Sequence, residues 1–123
     1  MNLMKDKMKK NLLLLLGIIL LNACTTTTDS NGTKTTTVVP LPPTNLTGKA
    51  ISTTETNLSW TDNSTNEIGF TIERKTGNGN YSQLISLSSN VTTYTDASVS
   101  AGSSYTYRVY ALNSAGNSAG SSV

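Results

Sequence analysis

Cys24 is the only cysteine in the 123-residue chain, and the chain has no histidine. A lone thiol can serve as a nucleophile, as a buried structural group, or as an attachment point. A nucleophilic cysteine needs a histidine or another activating neighbour to form its thiolate. None is offered here, since "TTTT" follows Cys24 directly. A buried cysteine needs apolar sequence around it on both sides, and Thr25 onward is polar. An intramolecular disulfide is excluded by the count. The carboxylates of the C-terminal part are Glu55, Asp62, Glu67, Glu73 and Asp96. A glycosidase would need two of these facing one another ~5–10 Å apart across a groove. Asp62 and Glu67 share the stretch "TDNSTNE". There, Asp62 and Asn63 fit loop-capping roles, with their side chains bonding nearby amides. Calcium would need six or more oxygen ligands at a recognisable spacing, which this stretch does not show. No glycine-rich phosphate loop, metal-ligand cluster or catalytic triad occurs, so no catalytic residue, metal or cofactor is assigned.

The surroundings of Cys24 favour attachment. Residues 1–11 are basic, with Lys5, Lys7, Lys9 and Lys10 against Asp6. Residues 12–21, "LLLLLGIILL", form an apolar run shorter than the ~20 residues a transmembrane helix needs. A basic start, a short apolar run and a small residue, Ala23, are the parts of a secretory signal. Together with Leu21, Asn22, Ala23 and Cys24, they resemble a bacterial lipoprotein precursor. Asn22 is a less usual residue at its position. The resemblance implies cleavage after Ala23 and a diacylglyceryl group, carrying acyl chains such as palmitate, on the Cys24 thiol. Each buried methylene contributes ~0.8 kcal/mol, so two or three chains hold where one is marginal. An uncleaved signal anchor is the alternative.

The overall charge of +2 belongs to the N-terminus. Residues 24–123 carry five Lys and Arg against six Asp and Glu, which leaves no footprint for nucleic acid. Residues 24–42 read as a Thr- and Pro-rich linker. Eight threonines fall in residues 25–37, with no apolar residue to bury, and "VVPLPP" follows. The composition predicts a disordered tether that becomes extended at the prolines.

Residues 43–123 read as short strands. Alternation puts Leu58 and Trp60 on one face, and Phe70 and Ile72 inward with Thr71, Glu73 and Lys75 outward. "TGNGN" at 76–80 is a hairpin connection, and strands follow over 81–87 and 91–95. The clearest strand spans 105–113. It carries Tyr105, Tyr107, Val109 and Ala111 on one face, and Thr106, Arg108 and Tyr110 on the other. "NSAGNSAG" is a turn, and 118–123 is the last strand. No window has useful helical periodicity. The spacing predicts an all-β, antiparallel sandwich.

"LSWTDNSTNEIGFTIER" at 58–74, "TYTD" at 93–96 and "YTYRVYALNSAGNS" at 105–118 are similar to a fibronectin type III domain of the bacterial kind. The resemblance covers Pro42 to Val123. It implies a seven-stranded, immunoglobulin-like sandwich preceded by the signal segment and the disordered linker. Its core would include Trp60, Phe70, Ile72, Tyr105 and Val109. Tyr105 would take the tyrosine-corner place, its hydroxyl bonding back to nearby backbone. Leu46 would be the first core residue, and Pro42 or Pro43 would open the domain. Glu73 and Arg108 become neighbours able to form a cross-strand ion pair. Arg108 and Tyr110, with Tyr81 near, then form a surface able to recognise a sugar or a protein. The last strand, ending at "SSV", is shorter than usual for the family.

The function expected is a non-catalytic, lipid-anchored binding or spacer module of the bacterial cell envelope. Its partners would be the membrane, through the lipid on Cys24, and an envelope protein or polysaccharide. Thr25 after Cys24 points to the outer membrane in a two-membrane host, and otherwise to the outer face of the cell membrane. The alternative is an anchored N-terminal piece of a larger surface enzyme, a hydrolase.

Overall fold

The computed structural model describes residues 24–123. The signal segment over 1–23 and the cleavage site after Ala23 lie outside the described residues. Within them the chain forms strands only: β1 (Cys24–Thr28), β2 (Lys34–Val38), β3 (Thr44–Ala50), β4 (Thr56–Thr61), β5 (Gly69–Thr76), β6 (Ser82–Ser88), β7 (Thr93–Asp96), β8 (Tyr105–Asn113), β9 (Gly116–Asn117) and β10 (Ser121–Ser122).

β3–β10 build an antiparallel sandwich. One sheet runs β3-β4-β7; the other runs β10-β8-β5-β6, with β9 also on β8. β9 and β10 are two halves of one edge strand on β8, so the sandwich has seven strands. Backbone bonds at Ser118 to Ala111 and at Val123 to Tyr107 continue that edge. It therefore begins at Gly116, inside the stretch expected to be a turn.

Side chains alternate across each sheet, because successive residues of a strand point to opposite faces. Leu58, Phe70, Ile72, Val109 and Ala111 are fully buried, with Trp60, Tyr107, Leu46 and Val99 nearly so. The Trp60 and Phe70 rings meet at 5.7 Å and 58°, a tilted aromatic contact. Two placements differ from expectation. Tyr105, assigned to the core, is only partly buried and packs against it from the rim, as the first residue of β8. Thr71, assigned outward with Glu73, shares that outer face by alternation but is buried on it. It lies mid-sheet between Ser86 and Tyr110, which cover a short side chain.

Gly69 has no room for a side chain: a Cβ there would lie 2.3 Å from the Leu87 carbonyl oxygen. Gly77, in the β5–β6 turn, has φ +52°, which glycine adopts without penalty.

The linker differs most from expectation. β1 and β2 pair as a hairpin, with Cys24 opposite Val38, three threonine pairs between, and Thr28 opposite Lys34. Asp29 makes the turn, its Oδ1 accepting from the Asn31 and Thr33 amides at 2.9 and 2.8 Å. β-branched threonine favours extended pairing even where nothing is buried. Among the described residues the hairpin's side chains build no core with the sandwich; it joins the sandwich at its end, through the Val38 carbonyl.

The packed unit also begins earlier than Pro43. The Asn66 and Asn113 side-chain amides donate to the Val38 carbonyl at 2.9 and 2.8 Å. Asn63 donates to the Pro42 carbonyl at 2.9 Å, and Pro40 and Pro43 are buried.

Candidate recognition face

The outer face of the larger sheet gathers the charged and aromatic residues singled out in the sequence. The β5–β8 register sets Glu73 directly opposite Arg108. Arg108 Nε donates to Glu73 Oε2. The Arg108 guanidinium also lies over the Tyr81 ring, 4.1 Å from its centre, and Lys75 Nζ lies 5.2 Å from the same ring. Tyr81 stands just before β6, so the tight β5–β6 turn is what brings it over the middle of β8.

Beside this pair runs an open groove of about 510 Å³, lined by Tyr81, Arg108, Tyr110, Asn117, Ser118 and Ser122 among others. The break between β9 and β10 shapes its far wall. The Tyr110 hydroxyl holds the Glu73 carboxyl below its usual value; burial opposes this, and Arg108 reinforces it. Tyr110 in turn is pushed up to about 12, first by burial and then by Glu73. The carboxylate is thus ionised at neutral pH and committed to two neighbours. It is not a free acid or base. The Tyr81 ring is likewise engaged, with the Arg108 guanidinium lying against it.

A second polar cluster lies inside the sandwich. Asp96, at the end of β7, is buried. It accepts from Arg74 Nη1 at 2.6 Å, from the Tyr107 hydroxyl at 2.9 Å, and from the Ser98 amide and hydroxyl at 2.9 and 2.6 Å. Every lone-pair direction of the carboxylate is therefore used, which is what makes a buried charge tolerable. The sequence contained Asp96 and Arg74, but nothing local showed that they meet. Tyr105 closes the cluster from outside. The Arg74 guanidinium lies 4.9 Å from the centre of its ring, and its hydroxyl accepts from the Ser100 amide at 3.0 Å.

Asp62 Oδ1 accepts from the Ser64 amide at 3.0 Å, a loop-capping bond. Among the described residues no three metal-ligating side chains converge, and no helix is long and apolar enough to cross a membrane. Cys24 is exposed with a free thiol.

The fold has close counterparts. The structure of FN3tt superposes with a TM-score of 0.62 at 18% identity, over 70% of this chain and 91% of that one. The fn3 domain of the human collagen alpha-1(XX) chain gives 0.61 at 22% identity, over 68% and 81%. These two show the fold. The twitchin kinase region from C. elegans gives 0.59 at 26% identity, over 68% of this chain. This chain spans only 16% of the twitchin and titin kinase-region chains it matches. No curated protein matches the sequence. The Fibronectin type III domain profile matches residues 41–123, more than half of the chain. On that match and this sandwich, the chain belongs to the fibronectin type III family, whose domains commonly serve in binding or spacing and are generally non-catalytic.

Proposed function

We propose that the protein is a non-catalytic binding or spacer module of the bacterial cell envelope. It is anchored by lipid on Cys24 and contacts an envelope protein or polysaccharide through the outer face around Arg108 and Tyr110. The observation that carries the anchoring is the order of residues 5–24: four lysines, an apolar run too short to span, then Leu21-Asn22-Ala23-Cys24. An exposed thiol on a strand outside the sandwich is accessible to a modifying enzyme and has no structural duty there. The binding reading is supported by an open groove beside Arg108 and by a Glu73 carboxylate already engaged by Arg108 and so not free for acid–base chemistry. Mass spectrometry of the native protein tests the anchor. A mature chain starting at a lipidated Cys24 is expected; a chain retaining residues 1–23 with a free thiol would sink it.

A second reading has one observation in its favour. Domains of this fold flank a kinase in the titin structure matched above. By analogy, this domain would be the anchored accessory of a larger surface enzyme, a hydrolase. Sequencing the transcript past codon 123 separates the two: an in-frame catalytic domain supports accessory status, and an immediate stop removes it.

A further inference from the structure

We infer that the groove beside Arg108 binds the carboxylate of an acidic polysaccharide. The inference rests on the binding role proposed above and names its ligand. Arg108 is held from two sides, through Nε by Glu73 and across its plane by Tyr81. Its two Nη groups make no hydrogen bond among the described residues, and the Asn117 and Ser122 side chains on the groove wall make none either. A guanidinium fixed in plane with its fork unused is pre-organised for a carboxylate, which it meets by two parallel bonds. Lys75 has no carboxylate within 4.0 Å among the described residues, so the face carries two cations against the one charge of Glu73. The ligand's remaining chemistry follows from what the groove lacks. Protein hot spots place Trp, Tyr and Arg in well-packed, fully desolvated pockets, whereas Arg108 and Tyr110 here border an open groove. The exposed large apolar residues Val38, Leu41, Ile51, Ile68 and Val123 all lie outside this groove. Hydroxyl and amide groups line it instead, matching a hydroxyl-rich sugar acid. Recognition of the acid runs through charge and hydrogen bonds at Arg108.

Calorimetric titration of the full chain in detergent micelles tests this. The probes are polygalacturonate, neutral dextran and poly-glutamate. Saturable binding of polygalacturonate, weakening as salt rises, is expected. Arg108→Gln should weaken it about ten-fold or more. Asn117→Ala, which leaves the Glu73 pair intact, should weaken it less, with the melting temperature unchanged. No binding of polygalacturonate overturns the proposal. So does equal binding of dextran, which would mean sugar without charge, or of poly-glutamate, which would mean charge without sugar. Undiminished binding by a folded Arg108→Gln protein also overturns it.

A separate observation, the β1–β2 register, carries a second inference, which rests on lipidation of Cys24. The geometry points to a hairpin that draws the anchor back against one end of the sandwich. Residues 24–38 fully extended would reach roughly 50 Å. Paired, their ends lie about 5 Å apart, because Cys24 is opposite Val38. The Val38 carbonyl is in turn held by Asn66 and Asn113. The end bearing the β4–β5 loop and the β8–β9 turn therefore faces the membrane, and the end bearing the β5–β6 turn faces away. A fluorophore on Ser114→Cys in the vesicle-bound, lipidated chain should be quenched by head-group quenchers more than one on Asn78→Cys. The combined Thr27→Pro and Thr35→Pro change, which removes donors of a hydrogen-bonded pair of the ladder, should abolish the difference. Lipid present with equal quenching at both sites overturns this inference alone. Absence of lipid by mass spectrometry overturns the anchoring reading and this one with it.

Discussion

The Asp96 carboxylate of one sheet accepts a 2.6 Å hydrogen bond from the Arg74 guanidinium of the other. This tie between sheets is buried at Asp96, whose side chain is 1% exposed, and more open at Arg74, at 22%. Breaking a buried pair by removing one partner costs ~3–5 kcal/mol, because the other charge is left without compensation. Asp96→Ala should fall at or below the low end of that range, since solvent reaches Arg74. Urea denaturation measures it. A change within ~0.5 kcal/mol would show that the tie contributes no net stability.

The same carboxylate sets the acid limb of stability. Burial alone pushes Asp96 up, but the Ser98 bonds, Arg74 and Tyr107 together hold it below its usual value. A carboxyl with a lowered folded pKa stabilises the fold above its unfolded pKa, about 3.9, and that stability is lost as pH falls through the folded value. Melting temperature should therefore drop on acidification below about pH 4, and Asp96→Asn should flatten the drop.

Tyr107 sets the alkaline limb. Burial first, and then Asp96, pushes its hydroxyl up to about 12. A raised pKa favours the protonated form in the folded state. Its stabilisation is complete below the unfolded value of about 10 and is lost as pH rises toward about 12. Ultraviolet titration at 295 nm should show late tyrosine ionisation coupled to unfolding. Tyr107→Phe should move unfolding to a different pH while losing one late-titrating group.

Trp60→Ala should cost ~3–5 kcal/mol, the range for truncating a large buried aromatic ring. The loss includes the Phe70 contact at 5.7 Å. Against a total of ~5–15 kcal/mol this is close to unfolding. Circular dichroism melting checks it, and a shift of a degree or two would mean the site collapses around the gap. The conservative Trp60→Phe should retain the fold.

Tyr105→Phe removes an acceptor and keeps the ring. The Ser100 amide loses its partner but sits in an exposed loop, where water replaces it. The cost should be ~0.5–1.5 kcal/mol, measured by denaturant midpoint at constant m-value. No change would show that the corner bond holds the loop without stabilising the fold.

The sequence by itself determined the sandwich, because each strand carries its own period-two record of which face is buried. Leu58 and Trp60, Phe70 and Ile72, and Tyr107, Val109 and Ala111 are legible without partners, and all lie in one core. It also determined that Glu73 and Arg108 point outward. Only the tertiary structure decided what those faces do. Asp96 meets Arg74 across 22 positions of sequence, and a lone carboxylate at a strand end looks the same whether it is solvated or locked in a core. Asn113 meets Val38 across 75 positions, so the true start of the packed unit was invisible to composition. The threonine hairpin was missed for a related reason. Apolar periodicity reports burial, and a ribbon that buries nothing leaves no such record. The groove depends on all of these at once: the β5–β8 register, the turn that returns Tyr81, and the broken edge strand. Strand patterns are written residue by residue, whereas sites are set by which distant strands become neighbours.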